Sequence, residues 1–330
     1  MPQHHAIRDT NIYGEIKLFG GTACPELAAS VADYLKLPLS GRDVIHFPND
    51  NLFVRLHNSV RGQDVYVIQT TSTPVHQNLM ELLIMLQTLR LDSAGRVTAV
   101  VPYLCYARSD KKDKPRVPIT ARLVADMIEI AGADRYITLD LHAGQIQGFF
   151  SIPGDVISAF HLLTAYILKK IPELKDPVVV AADLGFAKKG RNFAANIDAS
   201  IAFIEKRRGG KDDQPEALTL IGDVKGRDVI IVDDEVNTGS SVAEGFQLVK
   251  SQGAQNVFLV FVHPVFSGQA TERLSRLDFT EIITTDTVPI PEAKRRLIQD
   301  KLTVLPIAPL LAEVILRAHA GRSVGEMFDE

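Results

Sequence analysis

Two adjacent carboxylates, Asp233 and Asp234, stand at the end of an apolar run and directly before a turn of small, hydroxyl-bearing residues. Residues 229–241 read VIIVDDEVNTGSS. The run VIIV has the character of a strand buried on both faces. Asn237, Thr238, Gly239, Ser240 and Ser241 then open a helix. Successive amide N–H groups in such a turn, at a helix N-terminus, form an anion cradle. The helix end contributes roughly 0.3–1 kcal/mol, and up to about 2 where partly buried. Thr238, Ser240 and Ser241 add hydroxyl donors. Carboxylates beside such a cradle would repel its anion unless they face neutral hydroxyls or a metal ion. A sugar phosphate meets both demands, with ring hydroxyls for the acid pair and the phosphate for the turn. A helix cap alone explains the turn but not two acids at the end of a buried strand.

Other candidates read less sharply from the residues themselves. His142 follows the strand-like ITLDL and, on its own, is an ordinary strand-end histidine. The basic stretch from Arg108 to Arg116 reads on composition as a solvated loop, and Ile204 to Arg208 (IEKRR) as an exposed charged turn. Cys24 and Cys105 are the two cysteines, too few for a disulfide framework or a cysteine-rich zinc site. Both lie in or beside apolar segments and read as small core residues.

The elements that must position these groups alternate along almost the whole chain. Strands are expected at 16–19, 64–69, 96–101, 136–141, 178–181, 199–204, 217–221, 229–232, 257–262, 282–285 and 304–306. Helices are expected at 23–35, 78–91, 119–131, 157–171, 241–252 and 310–319. Such alternation implies βαβ units and parallel sheets, with ligands outside the carboxyl ends of the strands. The fold class expected is α/β, with two similar doubly wound, mainly parallel domains at 14–155 and 156–330. A chain of 330 residues has room for two such cores. A net charge of -4 gives no general basic field, so no nucleic-acid partner is expected. The first residues lack the order of a signal peptide and no apolar run is long enough for a membrane span, so no membrane partner and a cytoplasmic location are expected.

The segment 229–241 resembles the phosphoribosyl-diphosphate signature of type I phosphoribosyltransferases and of ribose-phosphate pyrophosphokinases. Longer stretches separate the two families. VRGQDVYVIQ, NLMELLIML, RVTAVVPYLCYARSDKKDKPR, ITLDLHAGQIQGFF and GDVKGRDVIIVDD resemble the pyrophosphokinase pattern, and the likeness runs over about residues 14–328. The resemblance implies transfer of the pyrophosphoryl group of ATP to the 1-hydroxyl of ribose 5-phosphate, with Mg2+. The implied fold is two sheets of the type I phosphoribosyltransferase kind. It further implies ATP contacts from Phe47, Asn49 and Asn51 in an adenine loop, and from Arg108, Ser109, Asp113 and His142. His142 and Asp183 would meet the metal, and the loop after Asp183 would bind pyrophosphate. Asp233, Asp234 and 237–241 would hold ribose 5-phosphate. Lys206 and Arg208 would be catalytic cations on a closing segment. An ATP site shared between subunits implies a homo-oligomer, for which the resemblance gives a hexamer.

Departures from the family pattern fall inside these sites. Asn51 stands where a Glu is usual, Ser109 where a Gln is usual, and Leu184 and Phe186 in a loop that usually reads DAGG. Asn237 and Ser240 replace a third Asp and a smaller residue. The alternative expectation is therefore a weakly active or regulatory paralogue, or a synthetase with an altered nucleotide donor.

Overall fold

The structure, a computed structural model, describes residues 13–182, 185–207 and 217–328. The chain forms two compact units. One gathers the chain up to Ile157 and from Ile307 onward, and the other is Ser158–Pro306.

The first unit contains β1 (Ile16–Gly20), α1 (Pro25–Leu35), β2 (Arg42–His46), β3 (Leu52–Leu56), β4 (Asp64–Ile68), α2 (Val75–Leu91), β5 (Arg96–Val101), α3 (Thr120–Ala131), β6 (Arg135–Leu139) and β7 (Gly154–Ile157). Its main sheet has the order β1-β4-β5-β6-β7, parallel throughout. Strands β4 and β5 are buried at every position, as near-continuous apolar runs require. Val65, Val67, Val97 and Ala99 pack with Leu82 and Leu86 of α2 and with Val124 and Ile128 of α3. Each of these valine, leucine and isoleucine side chains contributes roughly 1.5–3 kcal/mol relative to exposure. Strands β2 and β3 pair separately as an antiparallel hairpin, which the strand expectations above do not include. Its strands are five residues each and carry no clean two-residue alternation, so hydrophobic pattern alone does not mark them.

The second unit contains α4 (Phe160–Lys170), β8 (Val178–Ala181), α5 (Ala187–Asn196), β9 (Ser200–Arg207), β10 (Ala217–Ile221), β11 (Val229–Glu235), α6 (Ser240–Ser251), β12 (Val257–His263), α7 (Ala270–Ser275), β13 (Glu281–Thr285), α8 (Glu292–Arg295) and β14 (Leu302–Leu305). The strand order is β10-β9-β8-β11-β12-β13-β14 among the described residues, with only β10 antiparallel to its neighbour. The order therefore reverses between β8 and β11, a topological switch point where α/β sheets open a crevice. Val180, Ile231, Val257 and Leu259 form the core with Phe246 and Val249 of α6.

Helix α9 (Ala308–Ala320) belongs to the first unit rather than to the expected second domain of 156–330. The anchor is the buried Asp64, which accepts from Arg96 at 2.8 and 2.6 Å. The Tyr66 hydroxyl donates to the same carboxylate at 3.0 Å, and His319 Nδ1 lies 2.7 Å from it. Arg96 also donates to the carbonyl of Ala318 at 3.1 Å. Burial pushes the Tyr66 phenol well above its ordinary pKa, so it stays a donor in this cluster.

Candidate active site

At the switch point, β8 and β11 run side by side, with Ala181 opposite Val232. Both strands lead into helices that lack a side-chain N-cap. Helix α6 follows β11 with Gly239 as its N-cap, and α5 follows β8 with Phe186 in that place. Neither first turn holds an acidic residue. Uncapped first-turn amides and unopposed helix dipoles are what an anion requires. Two such ends lie beyond adjacent strands, which suits a ligand with a phosphate at each end.

The acid pair lies in the last residues of β11, the strand that leads into α6. Asp234 is 5% exposed and Asp233 is half-buried. Each carboxylate accepts the following amide at 2.8 Å, Asp234 N to Asp233 and Glu235 N to Asp234. These bonds fix the carboxylates against the main chain. The turn beyond is braced by its neighbour loop. Phe266 N donates to Val236 O at 2.9 Å and Ser267 N to Asn237 O at 2.8 Å. Gly239 has φ 71°, a left-handed conformation that glycine reaches without a Cβ penalty. Asn237 Oδ1 is buried without a hydrogen-bond partner among the described residues. Such an acceptor is costly unless a donor arrives, and sugar hydroxyls are donors.

In the first unit, the segments expected at the nucleotide lie after β5 and β6. Arg108 and Asp113 are exposed, and so is His142. The turn before His142 is sharp, because Asp140 takes φ 37° while its amide donates to Ile157 O at 2.9 Å. Gln145 Nε2 donates to the buried Asp110 and ties the His142 segment to the Arg108–Asp113 segment. Ser109 is occupied otherwise: its hydroxyl accepts the Thr120 amide at 3.2 Å, at the start of α3. Phe47, Asn49 and Asn51 form the tip of the β2–β3 hairpin. Phe47 is 45% exposed, with its ring centroid 6.5 Å from that of Phe53. Phe47 N donates to Asn51 O at 2.8 Å and Asn51 N to Asn49 Oδ1 at 3.3 Å, so the tip is closed on itself.

Asp183, Leu184 and Arg208 lie outside the described residues. Of Lys206 only the main chain is described, in β9 opposite Leu218.

Residues 16–132 match the family profile described as the N-terminal domain of ribose phosphate pyrophosphokinase, and residues 208–329 match the phosphoribosyl synthetase-associated domain. The ribose-phosphate pyrophosphokinase of Caldanaerobacter subterraneus is 44% identical over 314 residues, covering 95% of this chain and 98% of the relative. That of Wolinella succinogenes is 42% identical over 312 residues, covering 94% and 98%. The chain belongs to the ribose-phosphate pyrophosphokinase family. Crystallography of the phosphoribosylpyrophosphate synthetase of Mycobacterium smegmatis gives a structure similar to this one. The TM-score is 0.88 at 42% identity, covering 93% of this chain and 99% of that one.

Family membership sharpens the departures. Phe186 packs into the interior of its unit. It is 6% exposed and its ring lies 5.5 Å from that of Phe160 in α4. The residues from Ala187 to Lys189, expected in a loop, form the first turn of α5 instead. Sequence reasoning did not identify Asp110, Gln145 or Ser267. Their partners lie 30 or more residues away, so no local spacing announces them. Among the described residues no group of three or more His, Cys, Asp or Glu is gathered as in an all-protein metal site. Magnesium carried on phosphate oxygens needs only one or two protein ligands. Among the described residues no helix is long and apolar enough to cross a membrane.

Proposed function

We propose that this chain transfers the pyrophosphoryl group of ATP to the 1-hydroxyl of ribose 5-phosphate, giving 5-phosphoribosyl 1-pyrophosphate and AMP. The observation that carries the proposal is the pair of helix starts without a side-chain cap after β8 and β11, at the switch point, with Asp233 and Asp234 at the end of β11. The product has the matching form: a ribose with a phosphate at one end and a pyrophosphate at the other.

In this reading the amides and hydroxyls of Thr238, Gly239, Ser240 and Ser241 hold the 5-phosphate. Asp233 and Asp234 accept from the ring hydroxyls, and Asn237 gains a donor for its buried oxygen. The residues following Asp183 hold the pyrophosphate. Phe47 stacks on the purine, with Asn49 and Asn51 at its edge, and Arg108, Asp113 and His142 bind the rest of the nucleotide. Ser109 contributes by holding the start of α3 rather than by touching the ligand.

The transition state has an attacking oxygen in line with the β-phosphorus and AMP leaving, so catalysis is positioning and charge stabilisation. Lys206 and Arg208 neutralise charge on the transferring group, a role worth roughly 10³–10⁵ in rate where arginines act this way. Bound Mg2+ would shield phosphate charge, with Asp183 as its oxygen ligand and His142 at the triphosphate. A nucleotide site shared between copies makes a homo-oligomer, a hexamer, part of the same proposal, as is a cytoplasmic setting with its ATP supply.

Purified protein given ATP, magnesium and ribose 5-phosphate should form AMP in a one-to-one ratio with sugar product. Formation of ADP would mark a simple kinase. Absence of turnover would favour the regulatory reading.

A further inference from the structure

Arg273 lies in α7, beside the sugar-phosphate turn but outside the segment that forms it. Its Nη1 donates to the carbonyl oxygen of Thr238 and, at 2.9 Å, to Ser240 Oγ. Ser240 Oγ is in turn 3.3 Å from Thr238 Oγ1. These acceptors bracket Gly239, the left-handed residue of the turn. Among the described residues the guanidinium makes no ion pair. A groove of about 430 Å³ opens beside it, lined in part by Ser240, Glu244, Glu272 and Arg276.

The position has a mechanical consequence. A trans peptide is planar, so its C=O and N–H point in opposite directions. Holding the Thr238 carbonyl on the α7 side turns the Gly239 amide away from α7, to the opposite side of the turn. A glycine turn has little intrinsic resistance to a flip of that peptide. Nη1 of the planar guanidinium, with its two N–H donors in fixed geometry, resists it by holding both shoulders at once.

We infer that Arg273 is the positioning residue of the sugar-phosphate turn: it pins Thr238 and Ser240 on either side of Gly239, keeps the turn's amides aimed at the 5-phosphate, and adds a positive charge without touching the ligand. The inference rests on the reading that this turn holds ribose 5-phosphate, and the test separates the two. Steady-state kinetics are measured for Arg273→Ala, Arg273→Lys and Ser241→Ala, varying each substrate in turn.

Arg273→Ala is expected to raise KM for ribose 5-phosphate about tenfold, the loss of a charged hydrogen bond, while kcat and KM for ATP move less than about twofold. Arg273→Lys keeps the charge but not the reach and planar donor geometry of Nη1, and recovers only part of the loss. Arg273→Gln, which keeps a donor and no charge, is the second variant should the alanine change unfold the protein, and it too should raise KM for ribose 5-phosphate. If Ser241→Ala raises that KM and Arg273→Ala does not, the inference is overturned and the reading of the turn stands. If neither changes it, the reading of the turn itself is wrong. An equal rise in both KM values with a falling kcat would make Arg273 merely structural, and full recovery by lysine would overturn the pinning.

Discussion

The crevice between β8 and β11 and the loops after β5 and β6 carry the same kinds of residue but are organised differently. At the crevice, the acid pair is fastened to its own main chain, and the turn is laced to the next loop through Val236 and Asn237. After β5 and β6, Arg108, Asp113 and His142 are exposed on loops joined to each other through Asp110 and Gln145. The hairpin tip with Phe47 closes on itself, leaving the ring exposed. The first region is held by backbone geometry, which under the proposed sugar-phosphate role would leave it formed before binding. The second presents long exposed side chains, whose ordering would be a cost of binding under the proposed nucleotide role. Substitutions at the crevice should therefore act on sugar binding, and those in the loops on nucleotide binding.

The largest effect expected is on turnover. Lys206→Ala should lower kcat by about 10³, with ribose 5-phosphate affinity measured by calorimetry nearly unchanged; unaltered turnover would remove Lys206 from the chemistry. Next comes the acid pair. Asp234→Ala should reduce kcat/KM for ribose 5-phosphate about 10–100-fold, the range for hydrogen bonds to a charged group. An effect confined to ATP would break the contrast between the two regions. Phe47→Ala should raise KM for ATP about tenfold through lost base stacking, and leave the sugar kinetics alone.

Smaller effects sharpen the contrast. Ser109→Ala should cost about 1 kcal/mol of stability, as loss of a helix-start acceptor does, seen as a lower melting temperature with KM for ATP held. A rise in that KM without destabilisation would return Ser109 to the nucleotide. The smallest concerns pH. Burial raises the Glu281 pKa, but hydrogen bonds from Thr303, Tyr166 and Lys170 outweigh it and leave the carboxyl below its ordinary value. A lowered pKa in the fold stabilises above the unfolded value and is lost as pH falls through the folded one. Urea unfolding across acid pH should therefore be less steep in Glu281→Gln.

The sequence made the crevice visible because local pattern and function coincide there. VIIV needs a buried strand, two acids end it, and small residues open α6, all within thirteen positions. The order reversal at β8 and β11 was implied only by alternation, since strand order is a long-range property. The hairpin was missed because its strands are short and weakly patterned. The return of α9 to the first unit brings His319 to Asp64 across a separation of 255 residues. Nothing near either residue signals that pairing. Phe186 stands out in the sequence only as a departure in the loop after Asp183, because sequence gives residue size but not direction; packed on Phe160, it is a core residue.

The central claim is that two phosphoryl groups leave ATP together. ATP labelled at the β-phosphorus, incubated with magnesium and ribose 5-phosphate, tests it most directly. The account predicts that the label appears in the sugar product at the rate AMP forms. Label retained in ADP, with only the γ-phosphoryl group on the sugar, would contradict it.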